Sequence, residues 1–163
     1  MNFAKKHKEF KVIIKTKYPD HYLYYVKNIY GKVFKDDKDA PTNLIITNLG
    51  NSAQLIKESS AVVGFYSTTL TEAIVAGKIS LSPYFGDIIT DKPWDYFAEY
   101  PELINYVKSE ADFSEYILKP EKYLGYSQKQ REEFLKELIY IPDGRASIRA
   151  EAAIIEAIKE YKK

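Results

Sequence analysis

Ser59-Ser-Ala-Val-Val-Gly-Phe-Tyr-Ser-Thr-Thr-Leu-Thr-Glu-Ala-Ile-Val-Ala-Gly77 is the stretch whose reading decides the fold. Ala61 to Tyr66 reads as a short apolar strand, Ser67, Thr68 and Thr69 as a hydroxyl-rich turn, and Leu70 to Ala76 shows helical spacing. Gly77 stands where a helix C-terminus takes a residue tolerant of positive φ. A strand that ends in small hydroxyl residues and feeds a helix presents unpaired backbone N–H groups at the positive end of the helix dipole. Such a turn is a ready site for phosphate or another anion. The same residues carry a purely structural reading, because Thr69 and Glu72 have the spacing of a capping box. The two uses are compatible, since a ligand can take the donors that a cap leaves.

Outward from this stretch the chain alternates. Met1 to Glu9 reads as the end of a helix anchored by Phe3 and Phe10, and Lys11 to Lys15 as a β-branched strand left through the turn at Pro19. His21 to Tyr30 places Leu23, Val26 and Tyr30 at helical spacing, with Gly31 as the stop. Lys35 to Pro41 is a charged loop, Leu44 to Thr47 a second strand, and Ser52 to Glu58 a short helix capped by Asn51 or Ser52. Ile79 to Ser82 is a fourth strand ended by Pro83. Beyond Asp87, Trp94 to Tyr106 reads as short helices punctuated by Pro93 and Pro101, and Ser109 to Tyr123 continues in the same way. Ser127 to Leu138 is an amphipathic helix with Ser127 as cap and Phe134, Leu135 and Leu138 on one side. Tyr140 to Gly144 is a turn, and Ala146 to Tyr161 an alanine-rich helix.

Strands alternating with helices over short loops imply an α/β class. The expected fold is a Rossmann-like three-layer domain over 1–163, with a parallel sheet of four or five strands and C-terminal helices. Ligands of such sheets bind beyond the carboxyl ends of the strands. Lys15–Tyr18, Thr47–Gly50, Tyr66–Thr69 and Ser82–Tyr84 are therefore expected to line one crevice.

The formal charge of +1 argues against a generally basic nucleic-acid binder, so no nucleic-acid partner is expected. Cysteine is absent, which excludes disulfides, thiolate nucleophiles and Cys-based zinc sites. His7 and His21 alone do not suggest a histidine-rich metal site. No apolar run approaches the roughly 20 residues of a membrane span, and the N-terminus lacks the apolar core of a secretory signal. The expected location is the cytoplasm or the inner face of the membrane. Tyrosine, with 15 copies, is the compositional oddity, read as amphipathic packing with sugar stacking as a further use.

Ala61-Val-Val-Gly-Phe-Tyr-Ser-Thr-Thr-Leu-Thr-Glu-Ala-Ile-Val-Ala-Gly-Lys78 resembles the donor-binding segment in the C-terminal half of GT-B-type glycosyltransferases. The similarity is to surface-carbohydrate and capsule-biosynthesis proteins and to CDP-glycerol glycerophosphotransferases; the UDP-N-acetylglucosamine 2-epimerases share the layout. The resemblance implies that Ser67, Thr68 and Thr69 bind phosphate and that Glu72 binds ribose or sugar hydroxyls. It places Lys15 and Lys17 where the group often has a cation and a His-Pro dipeptide; here the dipeptide is Tyr18-Pro19, which removes the histidine. Pro142-Asp-Gly-Arg-Ala-Ser-Ile-Arg149 resembles the ending that precedes the last helix in these proteins. Ser147 would cap that helix, and Arg145 and Arg149 are open between phosphate contact and a structural ion pair.

A GT-B enzyme has two Rossmann-like domains, and the chain is similar to the donor half alone. The resemblance therefore implies binding of a nucleotide-sugar or CDP-polyol donor, inactivity alone, and a separate acceptor-binding subunit. No residue is assigned as catalytic. No metal or other cofactor is expected, since Asp36, Asp37 and Asp39 read as solvated surface. The rival reading is a non-catalytic interaction module, or a degenerate transferase fragment, with Trp94, Tyr96, Phe97 and Tyr100 as the contact surface.

Overall fold

Among the described residues every strand pairs in parallel, as alternating strands and helices over short connections require. The computed structural model describes residues 2–17, 21–34, 40–65, 67–84, 97, 99–123, 128–138, 140–141 and 143–161. They divide into two units, Met1–Leu55 and Ile56–Lys163.

The first unit contains α1 (Asn2–Lys6), β1 (Val12–Lys15), α2 (His21–Val33) and β2 (Leu44–Thr47). β1 and β2 form a two-stranded ladder, from Val12 opposite Leu44 to Lys15 opposite Thr47. The Asn43 amide donates to the carbonyls of His7 at 2.9 Å and Phe10 at 2.7 Å, tying the turn before β1 to the start of β2. Phe3 is buried and stacks on His7, with ring centres 4.5 Å apart. Leu23, Val26 and Tyr30 are the more protected positions of α2, as their spacing implies. Gly31 does not end that helix, which continues to Val33. A helical glycine costs up to about 1 kcal/mol, and here the packing of Tyr30 on buried Phe34, at 5.0 Å, holds the last turn.

α3 (Ser52–Glu58) carries the chain from one unit to the next. It is capped by Asn51, whose Oδ1 accepts the Gln54 N–H at 3.2 Å.

The second unit contains β3 (Ala61–Val63), α4 (Thr68–Val75), β4 (Ile79–Pro83), β5 (Asn105–Val107), α5 (Glu110–Leu118), α6 (Gln128–Leu138) and α7 (Ala146–Tyr161). Its sheet has the order β3-β4-β5. β4 lies in the middle, and Ile79 to Ser82 are buried on both faces. Successive strand residues point to opposite faces, which separates two cores. On one face Ile79, Leu81 and Val107 meet Phe113, Tyr116 and Ile117 of α5. On the other, Val62 and Tyr106 meet Leu70 and Ile74 of α4, and Phe134 and Leu135 of α6. The arrangement is α/β and Rossmann-like, with helices on both faces of a parallel sheet. Ser80 and Ser82 share the face of Val62 and Tyr106 by register, and their small side chains leave room for α4 against β4.

Further expectations are corrected. The five strands among the described residues form ladders of two and three, where one sheet was expected. Residues Asn105–Val107 form a strand where short helices were expected, because pairing with Leu81, Ser82 and Pro83 overrides a weak local pattern. Phe97 is buried and Tyr100 half-buried in the core with Phe134, so these two rings are core and not contact surface. Leu138 is exposed, unlike Phe134 and Leu135. Trp94, Tyr96, Ser127, Tyr18-Pro19 and Asp36, Asp37 and Asp39 lie outside the described residues. Among the described residues, no helix is long and apolar enough to cross a membrane.

Candidate anion site at the head of α4

The site begins where β3 stops. The Gly64 N–H donates to the Leu81 carbonyl at 3.0 Å, keeping the first turn residue in the sheet. A Cβ at Gly64 would stand 3.2 Å from Leu70 Cγ and 3.4 Å from Ser67 Cβ, so glycine lets the turn close onto the helix. Ser67 is extended, with φ −114° and ψ 135°, and is the N-cap. Its Oγ accepts the Thr69 N–H at 3.2 Å and donates to Thr69 Oγ1 at 2.9 Å. The Leu70 N–H donates to the Ser67 carbonyl at 2.9 Å.

The expected capping box is therefore not the cap. The helix starts at Thr68, two residues before Leu70, which makes Thr69 its second residue and Glu72 its fifth. Glu72 is exposed and too far along to reach the cap N–H. Thr68 and Glu72 stand four residues apart on one exposed face.

What remains open is a short row of donors. No described residue accepts from the backbone N–H of Ser67 or Thr68. The first turn of α4 also carries no acidic side chain. α5 starts at the carboxyl end of the same sheet and is the opposite case. There Ser109 Oγ accepts the Asp112 N–H at 3.1 Å, Asp112 Oδ2 accepts the Lys108 N–H at 3.0 Å, and Glu110 adds a second acid. One helix head is neutralised by its own carboxylates, and the other keeps its positive end. Tyr84, the residue after β4, is partly exposed at the same sheet edge and meets Tyr106 edge-on at 6.0 Å.

The far end of α4 is closed twice. Gly77 adopts φ +66°; its N–H donates to Ile74 at 3.1 Å and that of Lys78 to Ala73 at 2.9 Å, the pairing of a Schellman motif. Arg131 of α6 then donates to the Ile74 carbonyl at 3.0 Å and to that of Val75 at 2.8 Å. Sequence reasoning missed Arg131, since nothing local marks a partner 57 residues away.

The remaining candidates lie elsewhere. Lys15 ends β1 opposite Thr47 and Lys17 follows it, both in the first unit. Of the residues expected to line the crevice, Lys15 and Thr47 lie at the carboxyl edge of the first unit's ladder, and Ser67–Thr69 and Ser82–Tyr84 at that of the second unit's sheet.

Arg149 is a structural ion pair. Its Nη1 donates to both Asp143 oxygens at 2.8 Å, its Nη2 to the Ile141 carbonyl at 3.0 Å, and its guanidinium lies 5.5 Å from the Tyr140 ring centre. The Arg149 guanidinium, and then the Arg145 N–H at 2.9 Å, hold the Asp143 carboxyl below the usual range. Arg145 precedes α7 with its side chain exposed, and its carbonyl accepts the Arg149 N–H at 3.1 Å. Ser147 is the second residue of α7 and not its cap. Among the described residues, neither arginine hydrogen-bonds to Ser67–Glu72. No group of three or more histidines or carboxylates suited to a metal occurs among them either.

Compared with protein-family models, curated proteins and solved structures, the chain matches none.

Proposed function

We propose that the chain binds the phosphate of a nucleotide-activated sugar or polyol at the head of α4. It would serve as the donor-binding domain of a GT-B-type glycosyltransferase or glycerophosphotransferase of surface-polysaccharide synthesis. One observation carries the reading: of two helix heads at one sheet edge, that of α5 carries two acidic side chains and that of α4 none, so the α4 head keeps its positive end. In this reading the N–H groups of Ser67 and Thr68 and the hydroxyls of Thr68 and Thr69 hold a phosphate. Glu72 accepts from a ribose or sugar hydroxyl, and the Tyr84 ring offers a face to the base. Arg145 is an available cation, whereas Arg149 is committed to Asp143. The role is binding, with turnover assigned to no residue.

Thermal-shift titration against UDP, CDP, CMP and their sugar or glycerol conjugates tests this. A bound nucleotide raises Tm with its concentration. The decisive variant is Thr68→Pro. Proline suits the first helical position, and extended Ser67 suits the residue before a proline, so the variant removes one N–H and one hydroxyl of the site and keeps the fold. A saturable, base-selective shift lost in Thr68→Pro and weakened in Glu72→Ala supports the reading. A folded protein that no nucleotide stabilises refutes it.

A further inference from the structure

We propose that α7 is a self-association helix, which pairs antiparallel with α7 of a second copy of this chain. None of its 16 residues is buried, and Ile148, Ile154, Ile155 and Ile158 are 61%, 60%, 45% and 49% exposed. A solvated helix of this length is marginal in water, and an apolar face against a partner is the usual source of its stability.

The side chains say which partner. At about 3.6 residues per turn, Ile148, Ala152 and Ile155 share an arc of roughly 60°, with the stem of Lys159 in its last turn and Ile158 beside it. On the other flank Arg145, Arg149, Glu156 and Glu160 fall on a second stripe, also roughly 60° wide. That stripe is basic at the start of the helix and acidic at its end. Two parallel copies would set like charge against like. Two antiparallel copies, related by a two-fold between Ala152 and Ala153, set Arg145 opposite Glu160 and Arg149 opposite Glu156, each pair made twice. The same two-fold brings equivalent flanks together and interleaves the apolar residues. Ile155 of one copy falls between Ile148 and Ala152 of the other, and the alanines at the crossing allow close approach. Arg149 is already neutralised by Asp143, so the Arg145–Glu160 pairs set the orientation.

Sedimentation equilibrium of the full chain tests this, with circular dichroism confirming that each variant folds. The native chain is expected to dimerise with concentration. Glu160→Arg and Arg145→Glu are each expected to weaken the dimer on the order of tenfold, because each sets like charges across the two-fold. The chain carrying both substitutions is expected to regain it. A chain that stays monomeric, a dimer indifferent to both reversals, or a double variant as weak as the singles would each overturn the proposal.

Discussion

Arg131 and Ile74 are joined by a hydrogen bond of 3.0 Å from guanidinium Nε to backbone carbonyl, and the adjacent Nη2 reaches Val75 at 2.8 Å. A cation at the C-terminal end of α4 meets the Val75 carbonyl, the Ile74 carbonyl that also accepts the Gly77 N–H, and the negative end of the helix dipole. Arg131→Ala is expected to cost about 1.5–3 kcal/mol, the range for hydrogen bonds to a charged group. Arg131→Lys should recover only part, because an ammonium cannot reproduce the two-pronged geometry. Urea denaturation measures both, and an unchanged midpoint for the alanine variant would remove Arg131 from this role.

Ser67 offers a way to separate the cap from the ligand site. Ser67→Ala is expected to lower stability by about 1 kcal/mol through the lost cap. Ser67→Asp keeps a capping oxygen and adds a favourable charge at the helix head, so its Tm should match or exceed the native value. The same charge repels phosphate, and the nucleotide-induced shift should vanish. Undiminished binding by Ser67→Asp would place the ligand elsewhere.

Two glycines should respond to alanine with opposite signs. Gly77 is held at φ +66°, where a Cβ is strained, and Gly77→Ala is expected to destabilise by about 1 kcal/mol. Gly31 is a helical residue with open space where a Cβ would stand, and Gly31→Ala is expected to stabilise by up to about 1 kcal/mol. Equal signs in chemical denaturation would contradict the assigned conformations.

The hydroxyl of Tyr100 donates to Glu137 Oε2, tying the segment before β5 to α6. That hydrogen bond, with desolvation and nearby carboxylates, pushes the phenol from 10.0 up to about 12. A raised value means that the contribution of this proton is complete below the unfolded pKa, near pH 10, and is lost as pH rises through about 12. Glu137→Gln should return one tyrosine toward its ordinary range. An alkaline titration of phenolate absorbance reads the change, and identical curves would show that the bond is not formed in solution.

Local chemistry was legible where one residue settles a conformation. Gly77 as the left-handed stop of α4 and the bounds of α7 follow from side-chain type and neighbours, and of the two caps open for α3, Asn51 and Ser52, the structure takes Asn51. The cap of α4 was displaced by two residues because three successive hydroxyls compete for it. The choice fell to Ser67 only through the tight turn at Gly64, whose closeness to Leu70 is a tertiary fact. β5 was illegible for a similar reason, since three residues after a proline-initiated turn carry too little pattern, and register with β4 makes them a strand. Arg145 and Arg149 are four residues apart and alike in sequence. Asp143 separates their roles by taking one guanidinium and only the backbone N–H of the other.

The order β3-β4-β5 follows the order of the chain. Each strand therefore docks on the edge left by the strand made just before it, and no strand has to insert between two that have already paired. The segment from Ala61 to Pro83 needs only the short excursion through α4 to bring β4 onto β3, a contact of low sequence separation. This segment is expected to act as the seed of the second unit, with β5 and α6 condensing on it later. Pulsed hydrogen exchange during refolding should accordingly protect the Gly64 amide, bonded to Leu81, before the Tyr84 amide, bonded to Val107. The turn that presents the α4 donors would then be built first, before the rest of its sheet.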